Sequence, residues 1–187
     1  MDLVLFGIQG SGKGTQAKML AREFGYEIFE AGGALRAIAG RGTELGKTVA
    51  SYIDHGHLVP FEIIMQVVRD WVSAKPASQK ILFDGIPRDT DQMHAFDALM
   101  QELGREFRCV ELIVNEEAAI ARIINRAKEQ NRADDANEEF IRRRIALFHE
   151  KTQPVIDAYK KAGKVTEVSG EAREQEVYTR ILSYINI

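Results

Sequence analysis

The stretch from Gly7 to Gln16 combines closely spaced glycines with one lysine, residue types that suit the binding of phosphate. It reads GIQGSGKGTQ and directly follows the apolar run from Leu3 to Phe6. Glycines let successive backbone N–H groups turn toward an anion, and a helix that begins at the lysine directs its positive end to the same place. The order of strand, glycine-rich turn and helix therefore predicts a polyphosphate-binding loop. The loop residues expected to contact the phosphates are Gly10, Ser11, Gly12, Lys13, Gly14 and Thr15.

The residue after the lysine departs from the general pattern of such loops. That pattern has Ser or Thr there as a magnesium ligand, whereas this chain has Gly14 and carries the hydroxyl on Thr15. A magnesium ion would then be held by phosphates and water, which Mg²⁺ readily accepts, and no direct protein ligand is expected. Asp84 ends the apolar run from Ile81 and is the acid expected to orient that water, because ligands collect at the carboxyl ends of parallel strands. The structural alternative for Asp84 is the capping of a turn.

Six arginines form a second candidate set for phosphate chemistry. The planar guanidinium binds two phosphate oxygens at once and stays charged. Transfer between two bound phosphates requires such groups where the two meet, because the reaction depends on positioning and on neutralising charge. Each of these residues, taken alone, is more readily explained as ordinary surface charge. They are Arg36, Arg88, Arg122, Arg126, Arg132 and Arg144, of which Arg122 and Arg126 lie one helical turn apart.

The elements that must position these residues follow from five short apolar runs that alternate with segments of helical spacing. This rhythm predicts a mostly parallel sheet that is covered by helices on both faces. With 187 residues, of which 45% are hydrophobic, the chain is expected to form one α/β domain with small insertions. The predicted strands are residues 3–6, 26–29, 81–83, 110–114 and 165–168.

Two segments interrupt the rhythm. Residues 31–60 are rich in glycine and are expected to form an inserted flap. The polar run AKEQNRADDA, residues 127–136, is expected to form a small lid between a helix ending near Arg126 and one beginning near Asn137. The predicted division is a core of residues 1–29, 60–125 and 137–187, a flap of residues 30–59 and a lid of residues 126–136.

Composition argues against several classes of protein. A formal net charge of -3 disfavours general attraction to nucleic acid or to an anionic membrane. The chain has no apolar run long enough to span a membrane and no recognisable leader, so a soluble cytoplasmic protein is expected. Cys109 is the only cysteine, which excludes a disulfide within the chain, and it is interpreted as a small buried strand residue.

Together these motifs resemble those of adenylate kinase and its nucleoside monophosphate kinase relatives. The resemblance rests on GKGTQ after GIQGS, on FDGIPR with Gln92 four residues on, and on RADD followed by HEKTQP ending at Pro154. It runs in order from Leu3 to about Tyr159. It implies a P-loop α/β/α fold with five parallel strands in the order 2-3-1-4-5. It also implies a monomeric enzyme that transfers phosphate reversibly from MgATP to AMP, giving two ADP.

The resemblance further implies roles for individual residues. The catalytic set would be Lys13, Arg88, Arg122, Arg132 and Arg144. The ATP site would comprise Gly10, Ser11, Gly12, Lys13, Gly14, Thr15, Arg122, Arg126 and Gly170. The acceptor site would comprise Ala31, Gly32, Arg36, His57, Leu58, Val59, Gly85, Arg88, Gln92, Arg132 and Arg144.

The identity of the acceptor base follows less directly from the sequence. Gln92 favours AMP, because its amide offers the donor and the acceptor that the edge of adenine requires. Ala31 and Gly33 stand where adenylate kinases usually have Thr and Asp, and alanine at position 31 resembles UMP/CMP kinases. Loss of the aspartate also removes one acid expected near the metal-bound waters. AMP is the predicted acceptor, with UMP, CMP or a broad range of monophosphates as the alternative.

Two other classes of protein share the phosphate loop. A GTPase-like switch requires an Asn-Lys-x-Asp element that reads guanine, and the sequence contains none. A nucleotide-binding module without catalysis is favoured by Ala31 and Gly33 but disfavoured by the retention of Lys13, Asp84 and the arginines. The sequence therefore predicts an enzyme.

Overall fold

The computed structural model describes residues 1–130 and 137–185, except for the side chains of residues 126–130. The strands are β1 Asp2–Phe6, β2 Glu27–Glu30, β3 Ile81–Asp84, β4 Phe107–Ile113 and β5 Val165–Ser169. The helices are α1 Lys13–Phe24, α2 Ala31–Ala39, α3 Glu44–Ile53, α4 Phe61–Ser73, α5 Thr90–Glu102, α6 Glu116–Gln130, α7 Glu138–Leu147, α8 Gln153–Lys161 and α9 Glu174–Ile185. One turn of π-helix, Phe148–Thr152, connects α7 to α8.

The five strands form a single parallel sheet in the order β2-β3-β1-β4-β5. This confirms the predicted fold class and the predicted strand order. β1 lies at the centre and all five of its residues are buried, as expected for a strand covered on both faces. The parallel direction brings the carboxyl ends of β1, β2 and β3 to one edge, where ligands of such sheets bind.

The alternation of side chains along β1 divides the core into two layers. Leu3 and Leu5 pack on the face covered by α1 and α9, whereas Val4 and Phe6 pack on the face covered by α4, α5 and α8. Cys109 lies in the second layer and is 1% exposed. Burial raises the pKa of its thiol, so Cys109 behaves as the core residue that the sequence indicated.

Residues 31–59 leave the sheet as two short helices before α4 returns to it. Thr43 caps α3 by accepting a 3.0 Å hydrogen bond from the Gly46 N–H. Ile38, Val49 and Val59 are buried together in a small core of their own, between α2, α3 and the segment that precedes α4. α2 also packs against the main core through Ala31, Ala34 and Leu35.

Helices α6 and α7 pack against the phosphate loop through Ile8, which is buried in a cluster with Ile123 and Ile145. α6 extends to Gln130, beyond the predicted end near Arg126, because Ala, Lys, Glu and Gln all favour helix. α7 begins at Glu138 with Asn137 as its cap, close to the predicted start. None of the helices in the described part of the chain is long and apolar enough to cross a membrane.

A buried ion pair lies at the amino end of the sheet, opposite the ligand-binding edge. Arg105 donates from Nε to Asp2 Oδ2 at 2.7 Å and from Nη2 to Oδ1 at 2.9 Å. Asp2 Oδ1 also accepts from the Ile81 N–H at 2.9 Å, which joins β1 to β3. Both charged side chains are nearly buried, at 8% and 3% exposure.

Replacing Arg105 by alanine is expected to lower the free energy of unfolding by about 3–5 kcal/mol, because it leaves the Asp2 carboxylate buried without its charge partner. Urea unfolding followed by circular dichroism measures this. The matched control is Arg69→Ala, which removes an exposed pair with Glu102 and is expected to have a much smaller effect on stability. Equal losses in the two variants would contradict the expectation.

Candidate active site

A cleft of about 1100 Å³ opens at the carboxyl edge of the sheet. Its volume is at the upper end of the range for single small-molecule pockets, which leaves room for two ligands. Every predicted site residue whose side chain the structure describes lines this cleft. They are Gly10, Ser11, Gly12, Lys13, Gly14, Thr15, Ala31, Gly32, Arg36, His57, Leu58, Val59, Asp84, Gly85, Arg88, Gln92, Arg122, Arg144 and Gly170. Arg132 and the side chain of Arg126 lie outside the described residues.

The phosphate loop takes a backbone path that requires glycine. Gly10 has φ +83°, and a Cβ added there would lie 2.5 Å from the carbonyl oxygen of Ala119 in α6. Gly12 has φ +99° and caps α1 without any side-chain hydrogen bond. The first N–H groups of α1 are therefore available to an anion, at the positive end of the helix.

Two side chains of the loop are placed for phosphate oxygens. Lys13 Nζ donates to the carbonyl oxygens of Gly7 at 2.7 Å and Ile8 at 3.0 Å, so the ammonium lies over the loop. Ser11 is 2% exposed, and its buried Oγ has no hydrogen-bond partner among the described residues. A buried hydroxyl in that state is normally satisfied by a ligand or by water, and this one fits a bound phosphate.

Asp84 stands at the end of β3, beside Leu5 of β1 and Glu30 of β2 in the strand register. Burial raises the pKa of its carboxyl, the charges of Lys13 and Arg88 oppose that increase, and Glu30 adds to it. Asp84 therefore lies within the electrostatic field of both cations. In the part of the chain that the structure describes, no three His, Cys, Asp or Glu side chains converge as metal ligands. This donor set fits Mg²⁺ held mostly by phosphates and water.

Arg88 is held in the cleft by its neighbours. Its Nε donates to the Gly85 carbonyl at 2.8 Å, and a Cβ at Gly85, where φ is +85°, would lie 2.7 Å from Arg88 Nη2. Thr152 Oγ1 donates to the Arg88 carbonyl at 2.8 Å. Burial lowers the pKa of the guanidinium while Asp84 and Glu30 oppose that change, and an arginine remains charged under such a shift. The backbone of Arg88 and its side chain are both fixed.

Gln92 is buried and its amide is already oriented. Its Oε1 accepts from the Arg88 N–H at 2.8 Å, and its Nε2 donates to Asp89 Oδ2 at 3.1 Å. Asp89 also caps α5 by accepting from the Gln92 N–H at 2.8 Å. Each end of the amide retains a second hydrogen-bonding position, one lone pair and one hydrogen, for a ligand.

Arg122 and Arg144 also line the cleft. Both terminal nitrogens of Arg122 lie 3.3 Å from the Gly170 carbonyl, which follows β5. Gly170 packs against the phosphate loop so closely that a Cβ there would lie 3.1 Å from the Ser11 carbonyl oxygen. Arg144 is half-buried on α7, with its guanidinium carbon 5.6 Å from the Phe140 ring centroid. Arg122 thus lies next to the loop.

The flap approaches α7 across the mouth of the cleft. A Cβ added to Gly56 would lie 2.9 Å from the Phe140 ring, so the Gly56 backbone lies against the Phe140 side chain. His57 follows Gly56 and is exposed, and its N–H donates to the Tyr52 carbonyl at 2.9 Å. The backbone of this flap segment is therefore fixed by α3.

Three residues of the site were missed by sequence reasoning. Glu30 lines the cleft and forms a 3.2 Å ion pair with Arg36. Its signal was a charged residue at the carboxyl end of a predicted strand. Asp89 had the signal of a helix cap, and Thr152 lies within the HEKTQP motif but carried no assigned role.

The comparisons with known proteins agree with this architecture. Residues 5–164 match the family model described as adenylate kinase. The chain is 38% identical to the adenylate kinase of Phocaeicola vulgatus over 186 residues, which cover 99% of this chain and 98% of the relative. It is also 38% identical to an adenylate kinase of Thermus thermophilus, with 99% and 97% covered. The adenylate kinase of Thermobifida fusca is 39% identical, with 98% and 97% covered.

Proposed function

This chain belongs to the adenylate kinase family and is a nucleoside monophosphate kinase, and we propose that it transfers a phosphoryl group reversibly from MgATP to AMP. The products of the forward reaction are two molecules of ADP. The observation that carries the proposal is that one cleft is lined both by the phosphate loop with Arg122 and by Arg36 and Arg88. Two anion sites that face each other are what transfer between two nucleotides requires.

On the donor side, the loop holds the ATP phosphates. The N–H groups at the start of α1 and the Lys13 ammonium neutralise the β- and γ-phosphates, while Thr15 binds an inner phosphate. Arg122, which lies beside the loop at Gly170, and Arg126, one turn further along α6, bind the same phosphates. Asp84 would hold Mg²⁺ through water molecules, and the ion would supply further neutralisation of the phosphate charge.

On the acceptor side, Arg36 and Arg88 bind the phosphate of AMP, and Gln92 forms hydrogen bonds with the base. An oxygen of that phosphate attacks the γ-phosphorus in line as the bond to the bridging oxygen of ADP breaks. The attacking oxygen is already anionic, so the step needs no general base and no covalent intermediate. Arg88, Arg132 and Arg144 stabilise the charge on the transferring group.

Movement of two segments completes the site in this proposal. Residues 30–59 act as a flap that closes on AMP, with Ala31, Gly32, Leu58 and Val59 lining its inner surface. The proposed short lid over ATP is residues 126–136, of which residues 131–136 lie outside the described residues. Closure excludes water, which otherwise accepts the phosphoryl group. The enzyme acts as a cytoplasmic monomer in nucleotide homeostasis, without a nucleic-acid or membrane partner.

AMP is proposed as the acceptor for two reasons. The relatives reported above are named adenylate kinases, and Gln92 presents both a donor and an acceptor toward the base. The second candidate is a UMP/CMP kinase or a kinase of broad range, which Ala31 and Gly33 favour.

The test is to incubate purified protein with MgATP and, separately, with AMP, dAMP, UMP, CMP or GMP. Diphosphates are then quantified by chromatography. We expect AMP to be used with the highest kcat/KM, by about tenfold or more over UMP and CMP, since unpaired polar groups in a base site are costly. Equal use of UMP would refute the acceptor assignment. Failure with every monophosphate would instead favour a binding module.

A further inference from the structure

Glu30 is an acidic residue at the centre of a site built for phosphate. It ends β2 and is paired in register with Asp84 at the end of β3, so the two carboxylates emerge side by side at the carboxyl edge of the sheet. Its side chain is 52% exposed and lines the cleft. A carboxylate here repels the phosphates of a substrate. Its presence is therefore explained only if a cation or a hydrogen-bond donor in the bound state interacts with it.

The Glu30 side chain occupies the space beside Gly33. A Cβ added to Gly33 would lie 2.5 Å from Glu30 Oε2 and 3.4 Å from its carboxyl carbon. The Glu30 carboxylate therefore lies where a side chain at position 33 would begin. The family resemblance predicts aspartate at position 33, which this chain lacks, and the Glu30 carboxylate lies beside that position.

Surrounding charges hold the Glu30 carboxylate in that place. Oε1 accepts from Arg36 Nη2 at 3.2 Å, which uses one donor of the guanidinium and leaves the others for a ligand. The charge of Glu30 also contributes to the shifted pKa values of Asp84 and Arg88, for which burial is the larger cause. Glu30 thus interacts with the carboxylate and with both cations of the acceptor site.

We propose that Glu30 is a positioning residue for magnesium-bound water, acting beside Asp84 in place of an aspartate at position 33. Mg²⁺ keeps several of its waters, and each water is a hydrogen-bond donor that a nearby carboxylate accepts. Two neighbouring carboxylates at the edge of the sheet receive two such donors. The inference rests on the proposed function, because it requires MgATP in the cleft.

A simple ion pair with Arg36 is the competing explanation. In that case Glu30 would compete with the AMP phosphate for the guanidinium, and its removal would tighten AMP binding whether or not Mg²⁺ is present. An ion pair this exposed contributes little to stability, so stability does not distinguish the two roles. The dependence of binding on Mg²⁺ does.

The experiment compares Glu30→Gln, Glu30→Ala and the relocation variant Glu30→Ala with Gly33→Asp. Glu102→Gln is the matched control, since Glu102 is an exposed carboxylate paired with Arg69 away from the cleft. Calorimetry measures the affinity for a bisubstrate mimic, two adenosines joined by a polyphosphate chain, with Mg²⁺ and with EDTA. Steady-state kinetics then give kcat and the KM for AMP.

In Glu30→Gln and Glu30→Ala, we expect the ratio of the affinity for the mimic with Mg²⁺ to that with EDTA to fall roughly tenfold. We expect kcat to fall by about the same factor, since a charged hydrogen-bond acceptor is removed. The relocation variant is expected to recover most of both. Aspartate in the first turn of α2 also suits the helix dipole, so this variant is expected to fold.

A full magnesium effect in Glu30→Ala, above all with tighter binding of the mimic in EDTA, would overturn this inference and leave the proposed function intact. A relocation variant that folds, as judged by its thermal melt, but recovers nothing would also overturn it. Wild-type protein that formed no ADP would instead refute the proposed function.

Discussion

Replacement of Arg88 by alanine is expected to lower kcat by roughly a hundredfold to a thousandfold, the effect of removing one fixed charge from a transition state. Arg88 meets the conditions for a large effect. Its backbone carbonyl accepts from Thr152, its N–H donates to Gln92, and its Nε donates to Gly85. A guanidinium held in this way needs little reorganisation when charge develops in front of it.

Arg88→Lys tests whether charge alone is sufficient. Lysine keeps the charge but not the two-pronged geometry, so we expect this variant to recover only part of the loss. Steady-state kinetics in both directions, beside a thermal melt, measure the effect. Arg69→Ala serves as the control, because it removes an exposed arginine away from the cleft. Near-normal turnover in Arg88→Ala would count against the assignment.

Replacement of Lys13 by methionine is expected to lower kcat by about a thousandfold with little change in fold. Methionine keeps most of the length of the side chain and removes only its charge. The Lys13 ammonium lies within 3.0 Å of two loop carbonyls and is therefore already placed over the loop. A group that neutralises the transferring phosphate contributes mainly in the transition state, so kcat falls more than KM rises.

Kinetics with ATP varied at saturating AMP, together with calorimetry of ATP binding, separate the two quantities. Lys161→Met is the matched control, since Lys161 is an exposed residue in the last turn of α8. If Lys13→Met raised the KM for ATP while leaving kcat unchanged, the lysine would contribute to binding alone.

The strands and the phosphate loop were predictable because each depends on local sequence. An apolar run such as Leu3 to Phe6 is buried on both faces wherever it lies in a parallel sheet, and glycine at positions 10 and 12 permits a positive φ that other residues resist. The strand order came from the family resemblance. No local pattern specifies which strands are neighbours.

The acceptor site was less predictable because it depends on side-chain direction across different elements. Glu30 and Arg36 are six residues apart, and nothing in their spacing shows that the glutamate folds over Gly33. The bond from Thr152 to the Arg88 carbonyl joins segments far apart in sequence. The predicted end of α6 is wrong by a few residues, because the polar composition there is typical of a loop while the same residues favour helix.

The Asp2–Arg105 pair and the cleft lie at opposite ends of the same strands, separated along β1 by roughly 13 Å at about 3.3 Å per residue. Residues this far apart without shared partners act almost independently on the free energy. Substitutions at the amino edge of the sheet are therefore expected to change the melting temperature without changing the geometry of the cleft. Adaptation of this protein to a new growth temperature can proceed through that edge while selection on the cleft residues acts separately.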